Sequence, residues 1–431
     1  MKRWFALFLI CCLFPSLFGC ERRIQNAPAE ASPPAEETAS PVIPLPEKPN
    51  TAKELTLDES CDAEGFLAVL PQMPALASVR WSPCPLSPEE RKELRERCPD
   101  IRFDWELELG NSRFSSLDEA VDLSGEKKDV PALLTLLPLM EAKTVDLSGW
   151  DVTPKDAAAL RAVRDDIDYL YPVELYGMTF SSDDREIDFG DLVIMDTEEL
   201  EDALVLFNHP EKVLMLKTTL DNDSMDALNA RHEGTQFVWL VQVMTLAIRS
   251  DRTYFTIYNA DELRYTREPV TNLRYCHDLI AVDLGHCGIG QDDLEFVRGC
   301  PHLQFLIVAE CYIKNLEPLR ACPELRYLEA FKSYLTDVSA LADCPKLTDL
   351  NLCYIPSLGP ECVDTLKEMK QLEHLWFCDA NFAASKIIEL RDALPDTEFL
   401  YFKGPESTGA GWRYHDIYYE MRDALHMHYM N

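Results

Sequence analysis

The sequence predicts an α/β solenoid, in which short parallel strands stack turn upon turn and helices or irregular arcs return on the far side. Three observations lead there. A phrase returns four times between Cys300 and Phe402: Leu303-Gln-Phe-Leu306-Ile-Val308, Leu325-Arg-Tyr-Leu328-Glu-Ala330, Leu347-Thr-Asp-Leu350-Asn-Leu352 and Leu372-Glu-His-Leu375-Trp-Phe377. The first leucines of these phrases lie 22, 22 and 25 residues apart, and Cys-Pro introduces three of the four (Cys300-Pro301, Cys322-Pro323, Cys344-Pro345). Upstream, a longer repeat of 66 to 69 residues carries weaker copies of the same phrase.

The last two apolar positions of each phrase are two apart, so they share one face of a strand. That face points into the coil and its neighbours point out. One turn cannot bury its apolar face alone, but stacked turns share a continuous core. A period in the twenties with L-x-x-L-x-L is the pattern of a leucine-rich repeat, with a curved parallel sheet on the concave side. The return path of Pro360-Glu-Cys-Val-Asp-Thr-Leu-Lys-Glu-Met places Val363, Leu366 and Met369 at helical spacing. The proline before each first leucine donates no ladder hydrogen bond, so it belongs to the entry of a turn.

In chain order, residues 1–20 read as an address. Lys2-Arg3 is followed by an apolar stretch, Trp4 to Phe18, too short to span a bilayer. It ends at Leu17-Phe18-Gly19-Cys20, which resembles the lipobox of bacterial lipoproteins; Leu17, Gly19 and Cys20 match, and Phe18 stands where a small residue is usual. The resemblance implies lipid attachment at Cys20 and a cell-membrane location outside the cytoplasm. Residues 21–50 are rich in Pro, Ala and Glu with few large apolar side chains, and read as a disordered tether.

Residues 51–269 read as irregular repeats. Leu55-x-Leu57 returns as Val121-Asp-Leu123, Ile187-Asp-Phe189 and Phe255-Thr-Ile257. Val79-Arg-Trp81 returns as Val145-Asp-Leu147, Leu214-Met-Leu216 and Val282-Asp-Leu284, and Phe103 to Leu109 has counterparts from Tyr169 and Phe237. Each long unit thus holds three strand phrases. The third is long and is expected to overshoot and return through a hairpin. Asp122-Leu-Ser-Gly125 and Asp146-Leu-Ser-Gly149 read as turn exits. Residues 270–403 are the regular repeats, and about sixteen turns are expected in all. A polar join near Ala260 to Asn272 reads as a long return loop or mild hinge. Residues 404–431 begin with a breaker-rich loop, and Tyr414 to Met427 carries Ile417, Met421, Ala424 and Leu425 on one helical face. This helix is expected to cap the last open turn, with Trp412 beside it.

The formal charge of −34, from 75 acidic and 41 basic residues, argues against nucleic acid, which needs basic stripes. Of 15 cysteines, Cys300, Cys322 and Cys344 keep the repeat register, as do Cys287 and Cys311, and read as small buried core residues. No C-x-x-C falls after Cys20, so no zinc site is expected. His415, His426 and His428 could gather a metal ion, but His426 and His428 are two apart and face different ways on a helix, and no metal or other cofactor is expected there. Gly285-His-Cys-Gly288-Ile-Gly290 has the wrong spacing for a phosphate loop and sits where a repeat turns. With no G-x-S-x-G, H-E-x-x-H or G-K-[ST] motif, no enzyme is expected.

The outward strand positions form three columns. The first holds Phe305, Tyr327, Asp349, His374 and Phe399; the second Ile307, Glu329, Asn351, Trp376 and Tyr401; the third Ala309, Phe331, Cys353, Cys378 and Lys403. Aromatics on a solvated face mark interaction sites. Phe305, Tyr327, Glu329, Phe331, Asp349, His374, Trp376 and Tyr401 are therefore the candidate partner-binding residues. The competing reading is that these aromatics cover one another or lie under the terminal helix.

On these phrases residues 270–403, and residues 51–269 in more irregular form, resemble bacterial leucine-rich repeat proteins. With the lipobox, the whole is similar to a surface lipoprotein of that kind. Cys311, Ser333, Ile355 and Ala380 sit near the place where the family often has asparagine. The resemblance implies recognition of an extracellular protein by the concave face and no reaction. Carbohydrate, stacked on Trp376 and Tyr401, is the alternative ligand.

Overall fold

The computed structural model describes residues 43, 45–257, 269–378, 383–400 and 412–427. The lipobox with Cys20, most of the tether, the segment 258–268, Tyr401, the loop before Trp412, and His428 lie outside them.

Sixteen strands stack in parallel turns among the described residues, in groups of three, three, three and seven. The first group is β1 (Glu54–Leu57), β2 (Ser78–Trp81) and β3 (Arg102–Leu109), and β3 turns back through β4 (Ser112–Ser115). The second is β5 (Ala120–Asp122), β6 (Thr144–Asp146) and β7 (Asp168–Leu170), followed by the hairpin β8 (Pro172–Leu175) and β9 (Met178–Ser181). The third is β10 (Glu186–Asp188), β11 (Lys212–Leu214) and β12 (Gln236–Val238), followed by the hairpin β13 (Leu240–Val243) and β14 (Leu246–Arg249). The last group is β15 (Tyr254–Thr256), β16 (Ala281–Asp283), β17 (Phe305–Ile307), β18 (Tyr327–Glu329), β19 (Asp349–Asn351), β20 (His374–Trp376) and β21 (Glu398–Leu400).

Register follows the apolar pattern. Val282 pairs with Leu306, Leu306 with Leu328, Leu328 with Leu350, and Leu350 with Leu375, one inward residue per turn. All five are fully buried. On the return side the shorter turns carry 3-10 segments such as Glu317–Ala321 and Ser339–Asp343. Longer turns have room for α-helices, among them α1 (Pro88–Arg97) and α2 (Pro154–Val163). Each opens with proline at its first position behind a capping box, Ser87 with Glu90 and Thr153 with Asp156. Strands sit about 4.8 Å apart and helices about 8–10 Å apart. The sheet must therefore line the inner side of the bend.

The hairpins follow the expected 66-to-69-residue unit, and a buried serine ends each one. Ser116 accepts the Trp105 N–H at its Oγ (3.0 Å) and donates that hydroxyl to the Phe103 carbonyl (3.1 Å). Ser182 does the same with Tyr171 N–H (2.9 Å) and the Tyr169 carbonyl (2.7 Å), and Ser250 accepts from Trp239 N–H (3.2 Å). The serine backbone completes the junction. Ser116 and Ser182 donate N–H groups back to the third strand, at Trp105 and Tyr171, and accept from Glu141 and Asn208 of the next group. The hydroxyl thus satisfies a strand N–H at the place where the ladder is interrupted. Arginines brace the same seams: Arg95 donates to the Pro138 and Leu139 carbonyls, and Arg161 to Val205 and Asn208.

A second recurrent device ends the strands. Asp122, Asp146, Asp188, Asp283 and Asn351 each accept, through Oδ1, the backbone N–H two residues on, at 2.8–3.0 Å. This Asx turn explains the Asp-Leu-Ser-Gly exits. Most of the cysteines are core residues, as expected, whereas Cys287, read as buried, is half-buried. Cys300, Cys322 and Cys344 are fully buried, and their Sγ atoms lie 3.5–3.7 Å from carbonyls of the adjoining return turns. Burial pushes the Cys322 thiol up to about 12 and Cys344 to about 11, so both stay protonated and inert. At the asparagine place, Cys311 Sγ reaches the Leu284 carbonyl (3.3 Å) and Ser333 Oγ the Val308 carbonyl (3.1 Å), so Cys and Ser make the contact between turns. Ile43 is already buried, so the packed body takes in chain ahead of Thr51. Among the described residues no helix is long and apolar enough to cross a membrane.

Replacing Ser182 by alanine strands the Tyr171 N–H in the core. The expected loss is about 1–3 kcal/mol of unfolding free energy, read from urea denaturation midpoints. No measurable loss would mean that the serine junction does not hold the groups together.

Candidate functional site

The outward residues of β15–β21 lie in columns, as the alternation of each strand requires. Phe305, Tyr327, Asp349 and His374 are mutual partners in one column, and Ile307, Glu329, Asn351 and Trp376 in the next. The last strand departs from expectation by one residue. Glu398 pairs with His374 and Phe399 with Leu375, so Phe399 belongs to the inward column and Glu398 to the outward one. A one-residue slip moves every side chain to the other face. Tyr401 lies outside the described residues.

The candidate contact residues do not face solvent. Tyr327 is 0% exposed and Trp376 2%; Phe305, Glu329, Phe331 and Asp349 are also buried, and His374 is half-buried. Their cover is the C-terminal helix α3 (Asp416–Ala424) with Trp412 ahead of it. Ile417, Met421 and Leu425, four residues apart along the helix, form one apolar cluster with Phe305, Ile307, Tyr327, Phe331 and Trp376. The helix runs across the strands. His415 touches His374 and Trp376 of β20, with ring centroids 4.2 and 5.2 Å apart, and Trp412 meets Phe331 at 5.7 Å. Glu420 pairs with Arg326 beside β18 at 2.8 Å, and His426 stacks on Tyr254 of β15 at 4.3 Å. This corrects the expectation of an end cap and, of the two readings of the aromatic row, agrees with the one that places it under the terminal helix rather than in solvent. The physical reason is that an apolar strand face and an amphipathic helix with the matching stripe each remove the other's surface from water.

Polar groups trapped under the helix are specifically paired. Tyr327 Oη donates to Glu329 Oε2 at 2.9 Å. Asp349 accepts from Thr348 Oγ1 and meets His374 Nδ1, each at 2.6 Å. Burial pushes Glu329 up to about 7, only partly offset by the Tyr327 hydrogen bond and the Arg413 charge. Burial likewise takes Asp283 to about 6 against the Gly285 N–H and His286.

The first nine parallel strands present a different face. Their outward positions include Asp104, Asp122, Asp146, Asp168, Glu186 and Asp188, all exposed or half-buried. Arg80 approaches Asp104 at 3.8 Å, and Lys212 pairs with Asp251 at 2.6 Å. A hollow of about 290 Å³ opens beside the first hairpin, lined by Arg80, Asp104, Glu106 and Arg113. Two tyrosines flank the regular turns. Tyr312 and Tyr334, 59% and 54% exposed, stack at 5.5 Å. Sequence reasoning missed this pair because it follows the strands and has no place in the outward columns.

Glu329 and Asp283 bind protons on folding between the ordinary carboxylate range near 4 and about 7. The folded state then holds more protons than the unfolded chain, so stability falls as pH rises through that window. Other carboxylates act lower down. Burial raises Asp156, Glu201 and Asp251 but is outweighed by hydrogen bonds from Lys128 and Thr153, from His232, Arg231 and Thr197, and from Arg249 and Lys212, leaving them at about 2. Their contribution is lost only as pH falls from about 4 toward 2. Denaturation midpoints are therefore expected to be higher at pH 5 than at pH 7.5. Glu329→Gln should add roughly 1–3 kcal/mol at pH 7.5 and little at pH 5. Equal effects at both pH values would contradict the burial of this carboxyl.

No family profile matches the chain, and no curated protein does. Solved structures do resemble it. An internalin of Listeria monocytogenes is 15% identical, with 68% of this chain and 86% of that one covered, at a TM-score of 0.29. A leucine-rich repeat protein of Leptospira interrogans is 14% identical over 83% of this chain and 95% of its own, at 0.25. A second Listeria monocytogenes internalin, internalin C2, is 16% identical over 38% and 80%, at 0.25. The strand register and the inward leucine column stand on their own: the chain has the leucine-rich repeat fold.

Proposed function

We propose that this is a lipid-anchored recognition protein of the cell surface, attached through Cys20, which holds a basic segment of another protein on the open sheet face of its first three strand groups. One observation carries the reading. The outward positions of β1–β12 are mostly polar and accessible, with acidic residues outnumbering Arg80, Arg102 and Lys212 and with Leu214 and Val238 buried, whereas most of the equivalent positions of β15–β21 are buried, with α3 lying on them. An excess of acidic over basic groups on a rigid sheet raises the local concentration of cationic side chains and orients them. The strand-end aspartates are fixed by their own Asx turns, so little side-chain freedom is lost on binding. The formal charge of −34 acts in the same direction at longer range. Trp376 is too buried to offer a sugar-stacking face in this conformation, which counts against carbohydrate as the ligand.

Two experiments test the reading. A lysine-rich peptide and a glutamate-rich peptide of equal length are offered to the full chain at low and high salt. Only the basic one is expected to bind, about 10-fold or more weaker in the Asp146→Lys, Asp168→Lys double variant and weaker at high salt. Binding indifferent to both changes would remove the acidic face from the account, and a glycan captured by wild type but not by Trp376→Ala would favour the carbohydrate reading. Metabolic labelling with a fatty-acid analogue is expected to mark the wild-type chain in its bacterial host and not Cys20→Ala. Equal labelling of both would place the anchor elsewhere.

A further inference from the structure

The seam between the sheet and the C-terminal helix gathers a metal-ligand set. His374 on β20, Glu398 on β21 and His415 at the N-cap of α3 each offer one ligand atom, and these atoms all lie within 4.8 Å of one another. His374 Nε2 is 3.9 Å from Glu398 Oε2, and His415 Nε2 is 3.8 Å from Glu398 Oε1. Both separations are too long for hydrogen bonds. They are slightly longer than the roughly 3.3 Å between ligands of a tetrahedral ion with bonds of about 2.0–2.1 Å. Small side-chain rotations close that gap.

A second, independent feature points the same way. His374 turns its Nδ1 to Asp349, 2.6 Å away on the neighbouring strand, and Asp349 is almost fully buried. With Nδ1–H donated to that carboxylate, Nε2 keeps its lone pair and faces Glu398 and His415. A carboxylate behind a ligating histidine orients the ring and raises its basicity, an arrangement typical of metal-bound histidine. The histidines also rest against Trp376, with His374 stacked on it at 5.5 Å and His415 edge-on at 5.2 Å, which limits how far either ring swings. Glu398 directly and Asp349 through His374 balance the charge of a divalent ion.

We propose that His374, Glu398 and His415 bind one divalent first-row transition ion, zinc in the first instance, and that this ion latches the C-terminal helix onto the sheet. Two imidazoles and one carboxylate suit such an ion, whereas calcium and magnesium require an oxygen shell. Three protein ligands leave a fourth position for water or for a donor from another molecule. Two ligands belong to the strands and the third to the helix. Binding therefore favours the covered form of the face that holds Phe305, Tyr327 and Trp376, and removal of the ion favours its exposure. This site stands on its own geometry and does not depend on the acidic face having a partner.

The test uses the full chain in detergent, reduced and stripped with a chelator, then titrated with Co²⁺ and separately with Zn²⁺. One equivalent of Co²⁺ is expected, with visible ligand-field bands and no intense thiolate charge-transfer band. Glu398→Gln, which keeps the side-chain shape, should weaken binding about 10-fold or more, and Asp349→Asn about 10- to 100-fold. His426→Ala, at the far end of the helix, should bind as wild type does. Zn²⁺ should slow proteolysis within residues 401–427 in wild type and not in Glu398→Gln. Absence of stoichiometric binding, or a thiolate spectrum unchanged in Glu398→Gln, would overturn the site. Binding with the expected ligands but without protection of the helix would overturn the latch.

Discussion

The inward column from Val282 through Leu306, Leu328 and Leu350 to Leu375 is the constraint on which everything else rests. Each of these side chains is fully buried only because the turns above and below supply its neighbours. Burying one such side chain contributes about 1.5–3 kcal/mol. That drive holds the short strands in parallel register, and register in turn decides which residues face outward. The interruptions respect the same demand. Where a hairpin breaks the ladder, Ser116, Ser182 and Ser250 supply the missing hydrogen bonds, so the coil continues into the next group without a stranded N–H.

Once the inward column is satisfied, the outward face has two solutions in this chain. Along the first nine parallel strands it is mostly polar, and its aspartates serve double duty as turn acceptors and surface charge. Along the last seven it is largely aromatic and apolar with a few buried polar groups such as Glu329, Asp349 and Asn351, and a helix of the same chain lies on it. A nine-residue helix has little stability by itself in water. Ile417, Met421, Leu425 and Trp412 find their apolar surroundings only on this sheet. Glu329 and Asp283 oppose the docking when charged, and the Tyr327–Glu329 hydrogen bond and Glu420–Arg326 pair support it.

Much of this was legible in the residues. The phrase and its spacing gave the inward column, the 66-to-69-residue unit gave the hairpins, and the Cys-Pro register gave the buried thiols. Three things were not legible, each for a physical reason. Period two tells which side chains leave the core, but not whether another element arrives to cover them, so Phe305, Tyr327 and Trp376 could be read either as exposed or as lying under the terminal helix. In Thr397-Glu-Phe-Leu-Tyr401 large apolar residues occupy both parities, so alternation could not decide the register of β21. His415 was compared with the other histidines of its own helix, whereas its companions His374 and Glu398 come from two strands that only the tertiary fold brings near.

The claim that the aromatic face is an internal interface is tested most directly by hydroxyl-radical footprinting of the folded chain. Tyr312 and Tyr334 are exposed and serve as internal references for Tyr327, Trp376 and Met421, which are buried against one another. The account predicts slow labelling of the latter three and rapid labelling of the two references. Equal labelling of both sets in the folded chain would show the face to be open and would contradict the account at its centre.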